Sequence, residues 1–171
     1  MRVALRERRR ARRCPVAPIS VADVDSTEMA DGLWQGGLGT HAGCPIAFSD
    51  LHHAVVLCPT DQDQGRRVVV LWPAPIKIPL LDSKSDLKRI GELLDLASRL
   101  ASRIDGGENI GIFCWQGRNR SGLLTALTLR KLKGWSGREA MEHIQRLRPE
   151  ALDTQSGAFE EYLDRLARPR R

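Results

Sequence analysis

The sequence predicts an α/β domain built on a central, mostly parallel sheet covered by helices on both faces. Short apolar runs bounded by turn residues, "HAVVLCP" and "NIGIFC", read as buried strands. Longer stretches carry apolar residues at helical spacing. The two kinds alternate along the chain, the order that lays helices against a largely parallel sheet. A chain of 171 residues, 42% hydrophobic and 28% charged, supports one sizeable core, so residues 18–168 are expected to form a single domain.

Residues 1–13 hold seven arginines against one acid, Glu7, which accounts for the whole net charge of +6 and leaves the remainder neutral. Residues 1–17 therefore read as a basic, solvated tail, and RNA is a possible partner for it because arginine runs follow phosphate backbones. The following "CPVAPISVADV" is broken by prolines and lacks the apolar core of a secretory signal. No segment reaches the roughly 18 apolar residues of a membrane span, so a cytoplasmic protein is expected.

"GLWQGG" and "HAVVLCP" read as strands, followed by a hydrophilic turn, "TDQDQGRR". In "VVVLWPAPIKIPLL" the prolines at 73, 75 and 79 allow strand pieces and forbid a helix. From Ser85 to Ile104, Leu87, Ile90, Leu93, Leu94, Ala97, Leu100, Ala101 and Ile104 recur at helical spacing, with Ser83 and Asp86 as a capping pair and Gly106–Gly107 as the stop. The strand "NIGIFC" follows. Three more helices are expected: Ser121 to Lys133 ending at Gly134, one capped by Ser136 and Glu139, and one over Ser156 to Ala167. There is no internal repeat.

Cys14, Cys44, Cys58 and Cys114 form no CxxC pair, so neither a zinc site nor a disulfide framework is signalled, and reduced thiols are expected. Cys58 reads as core and Cys44 as a loop residue. Chain spacing leaves open whether either pairs with Cys114. His52 and His53 are adjacent, and His41 and His143 have no partner at ligand spacing, so all four read as non-catalytic and no metal site is signalled.

The chemistry concentrates in "CWQGRNRSG", residues 114–122, a turn from strand to helix. Backbone N–H groups in such a turn, with a helix N-terminus behind them, make an anion cradle. Gly117 lets the backbone curl, and Arg120 brings a planar fork that matches two phosphate oxygens. In such a field a thiol ionises below the roughly 8.5 of a free cysteine, which makes Cys114 a nucleophile.

With Cys114, Gly117, Arg120 and Ser121 in this order, the loop resembles the signature of the cysteine-dependent protein tyrosine phosphatases: a Cys and an Arg separated by five residues, then Ser or Thr. The second half of the chain, with "LRPEAL" near its end, is most similar to the compact dual-specificity branch. The resemblance implies a protein tyrosine phosphatase-like fold with Cys114 as nucleophile, Arg120 as phosphate clamp and Ser121 as the hydroxyl that helps the thiolate leave. Trp115, Gln116, Gly117, Arg118 and Asn119 would supply phosphate-binding amides. It implies a general acid in "IPLLDS", 32 residues before the cysteine, at Asp82, with Asp86 as the rival. The chain departs from the family at Phe113, where a histidine is usual.

The function so implied is hydrolysis of phosphomonoesters on a phosphorylated protein or peptide, through a covalent phosphocysteine and without metal or cofactor. Two alternatives stand beside it. "GRNRSG" is similar to the loop end of the cysteine-type RNA triphosphatases, which points to an RNA 5'-polyphosphate phosphatase. A phosphate-binding pseudophosphatase is the other, and Phe113 is the feature in its favour.

Overall fold

The computed structural model describes residues 18–41, 44–58, 69–72, 75–153 and 157–169. The basic tail and the turn 60–67 lie outside them. Seven strands are described: β1 (Asp25–Ala30), β2 (Leu33–Gly37), β3 (Pro45–Ala47), β4 (His53–Val56), β5 (Val69–Trp72), β6 (Ile76–Lys77) and β7 (Ile110–Cys114). Four α-helices accompany them: α1 (Ile90–Asp105), α2 (Asn119–Lys133), α3 (Gly137–Leu147) and α4 (Ala158–Asp164). The main sheet has the order β1-β2-β7-β4-β6, antiparallel only between β1 and β2, and β3 pairs with β5 in a small second sheet.

All five residues of β7 are buried, as a central strand covered on both faces requires. Its side chains divide with period two. Ile110, Ile112 and Cys114 join the core that all four α-helices share, whereas Phe113 joins a second core on the opposite face. β4 divides the same way, Val55 to the helical side and Ala54 and Val56 to the other. The expected central, mostly parallel sheet is present, but the expectation of helices on both faces is corrected, because all four α-helices join one core. The α-helices pack on one face, and the other is covered by a 3-10 turn at Val21–Asp23 and the β3–β5 pair.

Helix α2 is buried from Arg120 through Arg130, because α1, α3, α4 and the sheet all pack around it. Gly134 ends it in the left-handed conformation, φ +68°, as the sequence predicts. Helix α1 buries Leu93, Leu96, Ala97 and Leu100, an i, i+3, i+4, i+7 stripe. Its expected first turn is a 3-10 segment instead, Lys84–Arg89, and the last helix is shorter than its pattern, starting after Gly157. β1 and β3 are strands the sequence did not signal. β1 is an edge strand whose one buried residue is Met29, so it shows no alternation to read.

Cys114 carries a free thiol, and Cys44 is disulfide-bonded, which corrects the expectation of reduced thiols throughout. Spacing along a chain carries no information on which sulfurs meet. No described helix is long and apolar enough to cross a membrane.

The N-terminus of α3 is closed by a reciprocal cap. Ser136 Oγ accepts from Glu139 N (3.2 Å), and Glu139 Oε2 accepts from Ser136 N (2.7 Å). Arg168 bonds the same carboxylate and, with the Ser136 donors, pulls its pKa down from 4.5 to about 2. A folded pKa below the unfolded one means stability that is full above about pH 4.5 and lost as pH falls towards about 2. Glu139→Gln should therefore lower the melting temperature at neutral pH, and the difference from wild type should shrink steadily through that acid window.

Candidate active site

The loop between β7 and α2 is shaped by where its carbonyls go. Cys114 O accepts from Leu38 N (3.0 Å), Trp115 O from Gly39 N (2.8 Å) and Arg118 O from Gly122 N (3.1 Å). Gly117 O accepts from the Gln35 side chain, Nε2 at 3.0 Å. In a trans peptide the next N–H points opposite to the carbonyl. Carbonyls turned out towards β2 and α2 therefore turn the intervening amides towards the hollow. None of the described hydrogen bonds uses the N–H of Trp115, Gln116, Gly117 or Arg118.

Glycines on β2 make this approach possible. A Cβ on Gly37 would stand 2.8 Å from Gln116 C, and one on Gly117 would stand 2.5 Å from Gly36 C and Gly37 N. Gly117 also has φ +69°, a conformation that side chains rarely tolerate. Trp115 is half-buried, its indole against Gly39, while Gln116 and Arg118 are exposed. A cleft of about 300 Å³ runs along this outer side, between Trp115 and Arg118 and the acids Asp25 and Glu150.

Cys114 closes β7 with its thiol 2% exposed, and its Sγ lies 3.3 Å from Ser121 Oγ in the first turn of α2. Arg120 is 8% exposed. Its Nη1 donates to Leu80 O at 3.2 Å, its Nε is buried without a partner, and among the described ion pairs no acid neutralises it. A buried cation left in this state is costly unless an anion joins it. Together with the α2 N-terminus, the open amides make a site for a tetrahedral oxyanion.

Asp82 lies on a segment joined to this loop through Asn119 and Arg120. It is exposed, with φ +62°, and its Oδ2 accepts from Asn119 Nδ2 at 3.3 Å. Asp86, the rival, is 4% exposed and fully occupied: its carboxylate accepts from Leu81 N (2.9 Å) and Ser83 N (3.2 Å). It fastens the turn that presents Asp82. The structure thus brings Cys114, Trp115, Gln116, Gly117, Arg118, Asn119, Arg120, Ser121 and Asp82 into one place.

Phe113 belongs to the core rather than the loop. Its ring is fully buried and stacks on Phe48 with centroids 5.0 Å apart and planes within 4°. Sequence reasoning missed Gln35 and the paired Gly36–Gly37. The readable signal was a polar amide and two glycines inside "GLWQGG", a strand with no need of either for packing. Among the described residues no group of His, Cys, Asp and Glu is placed to hold a metal.

Solved structures share this architecture. Human DUSP28 superposes with a TM-score of 0.57 at 17% identity, over 88% of this chain and 97% of its own. The active form of Tk-PTP gives 0.55 at 22% identity, over 83% and 98%. A human tyrosine phosphatase-like serine/threonine/tyrosine-interacting protein gives 0.59 at 12%, over 80% and 94%. No family model matches the chain, and no curated protein does. The fold is that of the protein tyrosine phosphatases in their compact, dual-specificity form.

Gly117→Ala tests the cradle directly. The added methyl collides with β2 backbone, so tungstate binding should weaken by about 100-fold, the scale of lost oxyanion donors, while the far-UV circular dichroism stays unchanged.

Proposed function

We propose that this protein is a phosphomonoester hydrolase of the tyrosine and dual-specificity phosphatase kind, acting on phosphorylated protein through a covalent phosphocysteine. The observation that carries the reading is Arg120: a buried guanidinium with no acid partner and an unused Nε among the described residues, and a free buried thiol at the other end of the same ring of open amides. Such a set accepts a dianionic phosphoryl group and places a nucleophile in line with its phosphorus.

In the first step the Cys114 thiolate forms an S–P bond as the P–O bond to the substrate breaks, and Asp82 gives its proton to the departing oxygen. The amides of residues 115–119 and the fork of Arg120 hold the three equatorial oxygens as charge shifts onto them. In the second step Asp82 takes a proton from water, the water oxygen bonds phosphorus, and the S–P bond breaks. Ser121 Oγ, 3.3 Å from the sulfur, donates to the thiolate as it leaves. Inorganic phosphate and the resting thiolate remain. No metal or cofactor enters these steps.

The position of Asp82 supports this reading over cleavage of 5'-triphosphate RNA, since an acid beside the cradle serves a poor leaving group such as a tyrosyl oxygen. Phe113 is the feature in favour of a pseudophosphatase, and Cys114, Arg120 and Asp82 gathered at one loop support turnover against it.

Cys114→Ser should lower hydrolysis of an aryl phosphate by about 10³-fold or more while tungstate binding persists, as a hydroxyl is a poor nucleophile in an intact cradle. Turnover near the wild-type rate would overturn the covalent route.

Asp82→Asn should slow turnover of phosphotyrosyl peptide by about 10²- to 10⁴-fold, and far less for a nitrophenyl ester that leaves without a proton. The alkaline limb of its rate profile should flatten at the same time. Asp86→Asn should keep that limb and lose activity only as its turn loosens. Exchange of these two outcomes would move the acid to Asp86, and loss of neither activity with cleavage of 5'-triphosphate RNA would favour the RNA reading.

A further inference from the structure

Within β2, Gln35 stands on the same face as Leu33, which packs into the helical core, and its side chain is completely buried. Its Nε2 meets Gly117 O, 82 residues away, and its Oε1 has no partner among the described residues. Packing alone favours an aliphatic residue here, because a half-satisfied buried amide is worse than none.

The other outward carbonyls of the loop, on Cys114, Trp115 and Arg118, are held by backbone N–H groups of β2's continuation and of α2. The peptide joining Gly117 to Arg118 is held by a side chain instead. Turning that peptide plane changes ψ of Gly117 and φ of Arg118, and Gly117, with no Cβ, resists the turn less than another residue would. Rotated by half a turn, the peptide would aim a carbonyl at the bound anion and withdraw the Arg118 N–H.

We propose that Gln35 is a positioning residue for the phosphate cradle, whose amide locks the Gly117–Arg118 peptide so that the Arg118 N–H faces the phosphate and the Gly117 carbonyl faces away. The inference rests on the reading of residues 114–120 as a phosphate site. Gln35 touches no substrate; it acts through the loop. Its unmatched Oε1 is the cost of placing a donor where only one direction is used.

Gln35→Met keeps the shape and removes the donor, and Gln35→Glu keeps a donor only while protonated. Tungstate affinity by calorimetry and hydrolysis of an aryl phosphate are compared in both variants and wild type. Q35M should retain the wild-type circular dichroism, bind tungstate about tenfold more weakly and lose about 10- to 100-fold in kcat/KM, below the loss of a direct oxyanion donor. In Q35E burial favours the neutral carboxyl, so its tungstate affinity should match wild type at the acid end and fall towards that of Q35M as the carboxyl ionises. A residue that only fills space gives no such recovery.

Wild-type tungstate affinity in a folded Q35M overturns the proposal. So does a Q35E as impaired at the acid end as at the alkaline end, and this comparison decides if Q35M does not fold. Tungstate binding by wild type without turnover would remove the hydrolase reading and leave the Gln35 comparison valid. Absence of tungstate binding in wild type would remove both.

Discussion

The orientation of four peptide carbonyls is the constraint on which the rest of this molecule depends. An anion site made of backbone amides works only if no carbonyl oxygen shares the hollow, and each carbonyl turned away needs a partner of its own. Leu38 N, Gly39 N, Gly122 N and Gln35 Nε2 are those partners. Three of the four belong to β2 or the residues just after it. The parallel register that sets Gly37 beside Cys114 is therefore what shapes the loop that runs from the sulfur to Arg120.

That loop is joined to the segment carrying Asp82 at two points. Arg120 Nη1 donates to Leu80 O, and Asn119 Nδ2 donates to the Asp82 carboxylate. Asp86 fastens that segment to itself, through the amides of Leu81 and Ser83. Arg120 and Asp82 are thus on segments joined through hydrogen bonds as well as through space. A change that moves one moves the other, and both move relative to the sulfur at the end of a strand buried on both faces.

The cost of this arrangement is visible in the core. Arg120 Nε, Asn119 Oδ1 and Gln35 Oε1 are buried without partners, and all three border the same loop. Leaving such atoms dry costs about 1–3 kcal/mol each. Among the described residues Thr125 Oγ1, Arg130 Nε and Arg148 Nε share that state, so three of the six such atoms border the loop, beside a continuous cluster of Leu93, Leu96, Leu100, Leu123, Leu127 and Ile144.

Several features were legible in residues alone. The apolar runs marked β4 and β7, the helical stripe marked α1, and Ser136, Glu139 and Gly134 marked helix ends, because these are local rules written in neighbouring residues. The order Cys114, Gly117, Arg120, Ser121 identified the loop, since its chemistry needs those residue types at that spacing. Placement along the chain set Asp82 apart from Asp86, and the structure leaves Asp82 exposed while Asp86 is buried against two amides. What lay beyond the sequence was contact between distant segments. β1 and β3 are edge strands with little alternation, the disulfide at Cys44 has no spacing signature, and Gln35 reaches Gly117 across 82 residues. Local pattern reports which face of an element is apolar; which polar atom meets which carbonyl is settled only when strands and helices pack, because that meeting is a property of register and distance rather than of composition.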